Sequence, residues 1–433
     1  MPPPVLLASF YAGLVLLGGL LLSLPLCNQQ PIGLGQALFT AVSAVTVTGL
    51  TVVDTGSQFS VTGQIVILTL IQLGGIGLMS VAVLVLSLMG MQVGLRERIF
   101  LREDLHHTSL VELMSLVWIA VRVALVCELV GALLLAARFV PVYGWPEGIW
   151  QAVFHAVSAF NNAGFSLSAD SLSGWVDDPL VNLVVGALIV IGGIGYVVLW
   201  ELGHRRSWRR LSLHARLTLG GSVVLWVTGT VLIAALEWRN PGTLGGLGND
   251  AGRVLAAWFQ SVTTRTAGFN TLDIAALHQS TALLMIVLML IGGGTTSTAG
   301  GLKVTTLAVL FLATLAFFRR RPQIHVFGRS LQTDDVMKVL ALTVVAMVLV
   351  TGGTFVIALS NPQPMFDLAF EVVSAFGTVG LSRGLTADLD ALGQGTLAMI
   401  MFIGRMGPLT LGVFLATRSR AAIRYPAGRL YLG

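Results

Sequence analysis

The chain has 433 residues, 55% of them hydrophobic and only 10% charged, with a mean hydropathy of +0.86. Such a composition excludes an ordinary soluble domain, and two cysteines, Cys27 and Cys127, are too few for a disulfide framework. The net charge of +5 and the pI near 9.7 come from basic residues gathered in a few loops, a topology signal rather than a surface for nucleic acid.

A membrane span needs about 20 apolar residues, and in chain order the runs fall at 5–26, 60–90, 112–137, 179–201, 214–237, 275–318, 336–360 and 393–417. The first run has no basic region before it and no small-residue cleavage site, so it is expected to be a retained span. Leu26 is too large for the position before a lipidated cysteine, and both cysteines are read as packing residues. Seventeen of the 25 basic residues follow even-numbered runs. They are Arg96, Arg98 and Arg102; Arg205, Arg206, Arg209, Arg210 and Arg216; Arg319, Arg320, Arg321, Arg329 and Lys338; and Arg418, Arg420, Arg424 and Arg429. Because Lys and Arg stay in cytoplasmic loops, both termini are expected in the cytoplasm. The opposite connections carry Asp54, Asp170, Asp177, Asp178, Asp273, Asp388 and Asp390, an acidic mouth that would concentrate cations. The predicted fold is an all-α polytopic membrane protein with eight transmembrane helices.

Each outer connection holds a short stretch too brief to cross, followed by a glycine. Aligned on that glycine the four read Ser43-Ala44-Val45-Thr46-Val47-Thr48-Gly49-Leu50, Ser158-Ala159-Phe160-Asn161-Asn162-Ala163-Gly164-Phe165, Val262-Thr263-Thr264-Arg265-Thr266-Ala267-Gly268-Phe269 and Ser374-Ala375-Phe376-Gly377-Thr378-Val379-Gly380-Leu381. A second mark lies 25, 28, 24 and 24 residues downstream: Gly74-Gly75-Ile76-Gly77, Gly192-Gly193-Ile194-Gly195, Gly292-Gly293-Gly294-Thr295 and Gly404-Arg405-Met406-Gly407. Two marks in four copies define a repeat of span, pore loop and span. An even number of crossings per copy makes the copies parallel around a pseudo-fourfold axis normal to the membrane. The repeats are placed at 1–95, 96–210, 211–325 and 326–417, with a cytoplasmic tail at 418–433. The downstream glycines have a plain alternative role in close helix packing. The loop glycines do not, since irregular backbone at membrane depth is tolerated only where it is buried in protein or lines a water-filled path.

A dehydrated K+ recovers its lost ligands from rings of backbone carbonyls, and glycine turns carbonyls inward at little steric cost. The expected K+ ligands are therefore the carbonyls of Val47, Thr48 and Gly49; Asn162, Ala163 and Gly164; Thr266, Ala267 and Gly268; and Thr378, Val379 and Gly380. Thr378-Val379-Gly380 also matches the start of the K+-channel filter sequence Thr-Val-Gly-Tyr-Gly. Arg265 would repel a cation if it faced the axis and is read as a clamp on neighbouring carbonyls.

The sixth run is broken by Gly292, Gly293, Gly294, Thr295, Thr296, Ser297, Thr298, Ala299, Gly300 and Gly301. This segment cannot form an ordinary lipid-facing helix; it is expected to lie below the third loop, near the axis, as a gate with Lys303 at its lower end, the plain alternative being a kinked helix. A Walker-A reading fails, because Gly301-Leu302-Lys303-Val304 lacks the Lys-Ser/Thr ending. Arg405 takes the place of Gly75, Gly193 and Gly293 in the other copies. An intramembrane arginine must face a partner or water, and Arg405 is read as a barrier in the path or a latch on the gate, with a purely structural anchor as the alternative. Arg122 and Glu128 share no helical face and receive no role. A membrane-embedded enzyme would need clustered histidines or carboxylates at the interface, and none is present.

These residues resemble the Trk/Ktr/HKT superfamily of K+ transporters across essentially the whole chain. The marks are residues 158–165, 264–270, 294–303, 374–382 and 404–410. The resemblance implies four pore repeats, one filter of four glycines, an intramembrane gate in the third repeat and a nearby arginine matched by Arg405. Glycine in all four loops is the pattern that goes with K+ selectivity. The direct start in repeat 1 and the tail Arg424-Tyr425-Pro426 to Gly433 are most similar to the Ktr branch. That branch implies a homodimer in the bacterial cytoplasmic membrane, seated on a cytoplasmic nucleotide-binding regulatory ring. No nucleotide site is read in this chain itself. K+ is the expected cargo, with Na+ left open as an activating or coupled ion.

Overall fold

The computed structural model describes residues 3–75, 110–205, 207–321 and 323–407. Expectations attached to Ile76, Gly77, Arg96, Arg98, Arg102, Arg206 and everything from Pro408 onward, including the 418–433 tail, lie outside the described residues. Regular secondary structure among the described residues is helical apart from one two-residue strand pair, His325–Val326 with Arg329–Ser330, and irregular loops join the helices.

Among the described residues three helices are long and apolar enough to cross a membrane: Trp118–Tyr143, Leu213–Glu237 and Thr333–Ala358. Their outward faces keep large apolar side chains exposed at helical spacing, as with Leu125, Leu129 and Leu133, or Val223, Val227 and Val231. Continuous exposed apolar stripes of this kind suit hydrocarbon rather than water. Shorter apolar helices run over Ala8–Leu22, Val61–Gly75, Gln279–Leu290 and Val304–Phe318, the last two packing on Leu213–Glu237.

The apolar run over 179–201 forms two helices, Pro179–Ile194 and Tyr196–His204, bent by 96°. The hinge is Gly195, whose φ of 105° few L-residues adopt. A Cβ there would lie 2.4 Å from the Thr295 carbonyl, so the bend accommodates the third-repeat loop. The 275–318 run is interrupted as its glycines require. One helix stops at Leu290 and the next starts at Val304.

Four shorter helices precede the loop glycines: Leu34–Thr46, Trp145–Phe160, Asp250–Thr263 and Met365–Gly377. Their starts are specified locally. Gln36 reaches back to the Gly33 amide, Pro146 occupies the first turn of the second, and Asn249 caps the third through Gly252. At the starts of two further helices, Asp178 accepts from Leu180 and Val181, and Asp390 accepts from Gly393. That N–H, with Asn361 beside it, holds the Asp390 carboxyl below its ordinary range. The core surrounds these four helices, with Phe154, Phe160, Phe165, Phe259, Phe269, Phe370 and Phe376 all fully buried.

Candidate functional site

Each short helix runs directly into a loop that breaks its handedness twice. Val47, Asn162, Thr266 and Thr378 have φ of 56°, 57°, 75° and 48°, and two residues later Gly49, Gly164, Gly268 and Gly380 have φ of 90°, 67°, 79° and 93°. Positive φ at alternate residues lets successive carbonyls turn toward one side. The glycines were legible in the sequence. The four left-handed side-chain-bearing residues were not, and for β-branched Val47, Thr266 and Thr378 this conformation is a genuine outlier that packing must hold.

The packing that holds it repeats. The residue after each glycine, Leu50, Phe165, Phe269 or Leu381, is buried and anchors the loop. A hydroxyl at the end of each short helix ties the turn. Ser43 and Ser374 accept from the amides of Gly49 (3.0 Å) and Gly380 (3.1 Å). Ser158 and Thr263 donate to the carbonyls of Phe165 (2.8 Å) and Phe269 (2.6 Å). In the third copy the hydroxyl belongs to Thr263, one residue after the Val262 that glycine alignment pairs with the serines.

The four loops close into a ring. A Cβ on Gly49 would lie 2.4 Å from the Ala163 carbonyl oxygen, and on Gly164 2.7 Å from that of Ala267. On Gly268 it would lie 2.2 Å from that of Val379, and on Gly380 2.1 Å from that of Thr48. Each glycine thus abuts the carbonyl one residue before its neighbour's glycine, and the fourth contact returns to the first loop. The helix C-termini lead into this ring, none with a basic residue in its last turn, so their negative dipole ends stay available to a cation. A cavity of about 400 Å³ opens on the ring, lined by the four glycines together with Asp54, Asp273 and Arg383. Arg383 pairs with Asp367 at 2.6 Å.

The downstream glycines have a packing role. A Cβ on Gly74, Gly192 or Gly404 would lie 2.0, 1.9 or 2.1 Å from the carbonyl of Val45, Phe160 or Phe376, so each second helix meets backbone at the end of its short helix. The third copy differs: Gly292 meets the Gly300 carbonyl at 2.1 Å, because the chain there folds back on itself. Ile291 pairs with Leu302, and the Gly292 amide donates to Leu302 at 2.6 Å.

This 292–301 segment is fixed by many partners. The amides of Gly294 and Thr298 donate to Gly193 (2.8 Å) and Gly192 (3.2 Å), and that of Tyr196 to Thr296 (3.1 Å). Thr295 bonds His214 at 2.9 Å, Ser297 donates to Gly294, and Lys303 donates to Ala299. A Cβ on Gly300 would collide with the Thr378 side chain, which places the segment against the fourth loop of the ring. Arg405 donates to the carbonyls of Thr298, within the segment, and Gly74. Arg265, 4% exposed, points away from the ring: it donates to Gly292 (2.9 Å) and Ser222 (3.4 Å) and lies over the Trp226 ring. Glu128 accepts from Gln72 (3.3 Å) and Asn161 (3.1 Å), joining two helices behind the second loop, whereas Arg122 is exposed. Neither the Glu128 cluster nor His214 was marked by any sequence spacing.

An apolar-rimmed helical bundle enclosing a closed ring of backbone loops is a membrane transport protein in class. The chain matches the TrkH family of cation transport proteins over residues 18–422 and belongs to it. It is 43% identical to Ktr system potassium uptake protein B of Bacillus subtilis over 100% of this chain and 97% of that protein. Identity to the protein of the same name in Vibrio alginolyticus is 42%, over 100% and 95%. Potassium/sodium uptake protein NtpJ of Enterococcus hirae is 36% identical over 100% of this chain and 98% of its own length. The fold matches the crystal structure of the potassium transporter TrkH from Vibrio parahaemolyticus with a TM-score of 0.75 at 20% identity, covering 95% of this chain and 84% of that one.

Proposed function

We propose that the protein takes up K+ through the four-glycine ring, which acts as its selectivity filter. The cyclic contact of Gly49, Gly164, Gly268 and Gly380 with one another's neighbouring carbonyls carries this reading. Carbonyls supply ligands without placing a net charge in the path, and the nearby arginines Arg265 and Arg405 are engaged elsewhere. The 292–301 segment is the gate and Arg405 its latch. A potential of 100 mV supplies about 2.3 kcal/mol per charge, enough for channel-like uptake without hydrolysis in this chain.

The wider arrangement belongs to the same proposal. Eight spans form four parallel repeats, divided near residues 95, 210 and 325, with both termini in the cytoplasm of a bacterial cell. The relatives named as Ktr system proteins support a regulatory partner: a cytoplasmic nucleotide-binding ring on which a homodimer of this chain sits. A coupled symport with Na+ or H+ is the second reading, favoured by the potassium/sodium uptake protein among the relatives. Rb+ uptake in cells stripped of their own K+ uptake systems, with and without a regulatory subunit and with Na+ or H+ gradients varied, tests both. Uptake that needs this chain and follows membrane potential alone supports the channel. Rates that track the co-ion favour the symporter, and no Rb+ uptake under any condition refutes both.

A further inference from the structure

Two buried ionisable side chains lie behind the ring, and both occupy one repeat position. Counting from the filter glycine, His155 and Glu371 are nine residues before Gly164 and Gly380, and they are 1% and 0% exposed. Each bonds a serine two residues after its glycine. His155 Nδ1 faces the Gln151 carbonyl at 2.8 Å and so carries the hydrogen, which leaves Nε2 to accept from Ser166 Oγ at 3.0 Å. Glu371 accepts from Ser382 Oγ at 2.7 Å, from the Arg383 amide at 2.8 Å and from Thr386.

The serines are alike in a second respect. Ser166 Oγ accepts from the Ser168 amide at 3.0 Å, and Ser382 Oγ from the Gly384 amide at 2.9 Å. The same turn is therefore built twice and tied back to the helix twice. The other two copies lack the tie: Thr40 turns its hydroxyl to Gln36 within its own helix, and the third copy has Phe259 there. The ring runs in chain order, so the tied second and fourth loops face each other across it. All four residues at the serine position, Thr51, Ser166, Asn270 and Ser382, line the cavity directly outside the glycines.

Resting on the filter reading above, we propose that His155 and Glu371 are positioning residues that fix the outer rim of the ring along one diagonal through Ser166 and Ser382, and thereby set its discrimination between K+ and Na+. Two opposed rim points held from behind keep the carbonyls between them from closing around a smaller ion. A buried carboxylate with three donors and a buried imidazole with two partners make stiff supports, because either would be costly to leave unpaired.

The test is K+ over Na+ selectivity of purified protein in liposomes, read beside thermal stability and total K+ flux. Ser166→Ala and Ser382→Ala each remove one hydroxyl, and each is expected to lower the ratio about fivefold, the effect of one net hydrogen bond. The double variant falls further, and Ser382→Thr, which keeps the hydroxyl, restores the ratio. Glu371→Gln is expected to act like Ser382→Ala or more strongly. If it does not fold, the serine variants carry the test. An unchanged ratio in both serine variants, with Gly380→Ser still shifting it, overturns this inference alone. An unchanged ratio in Gly380→Ser as well overturns the filter reading and this inference with it.

Discussion

Replacing Gly380 with serine puts a Cβ on backbone at φ 93°, 2.1 Å from the Thr48 carbonyl oxygen and 3.1 Å from the Gly49 Cα. A left-handed conformation costs an L-residue about 1–2 kcal/mol, and relieving an overpacked contact costs about 1–3 kcal/mol. The sum, roughly 2–5 kcal/mol, can be relieved only by moving the fourth loop or the Thr48 carbonyl, and both belong to the ring. If about 1.4 kcal/mol of that falls unequally on the K+-filled and Na+-filled states, selectivity drops tenfold. Flux into liposomes from mixed K+ and Na+ should therefore show at least a tenfold loss of preference. The same substitution at Gly164, where the approach is 2.7 Å, should be the mildest of the four. Unchanged selectivity at all four positions would refute the reasoning, and Gly164→Ser proving the most damaging would refute the steric part of it.

Arg405→Gln shortens the side chain and removes the charge that bridges Thr298 to Gly74. Bonds to charged groups contribute about 1.5–3 kcal/mol, so basal flux without a regulatory subunit should rise several-fold, and flux at or below that of the parent would count against the latch. Deleting residues 295–299 removes the contacts to His214 and Tyr196 and should raise basal flux further in the same assay. Arg265→Met leaves the Gly292 and Ser222 carbonyls without their donor. A loss of about 2–4 kcal/mol should appear as a clear drop in Tm, and an unchanged Tm would mean that those bonds are replaced by water.

Much of this was legible because glycine is a backbone instruction. Gly49, Gly164, Gly268 and Gly380 marked positive φ, and the glycines of 292–301 marked a break that no lipid-facing helix tolerates. Other features depend on three-dimensional neighbours. The bend at Gly195 exists because the third-repeat loop needs the space, and a lone glycine in an apolar run reads equally well as a packing site. Asn162 belongs to a type that tolerates the left-handed region, but Val47, Thr266 and Thr378 do not, and only their buried surroundings hold them there. Ser43, Ser158 and Ser374 were visible in the alignment, whereas the aligned Val262 has no hydroxyl and Thr263, one residue nearer the glycine, supplies it instead. The tie from His155 to Ser166 spans 11 residues and joins unlike residue types in different copies, so no repeated letter announces it.

The most direct measurement is anomalous scattering from crystals in which Rb+ or Tl+ replaces K+. The account predicts a peak on the ring axis, coordinated by carbonyls of the residues at and just before Gly49, Gly164, Gly268 and Gly380. A ring without a peak, with ordered ion found elsewhere in the chain, would contradict it.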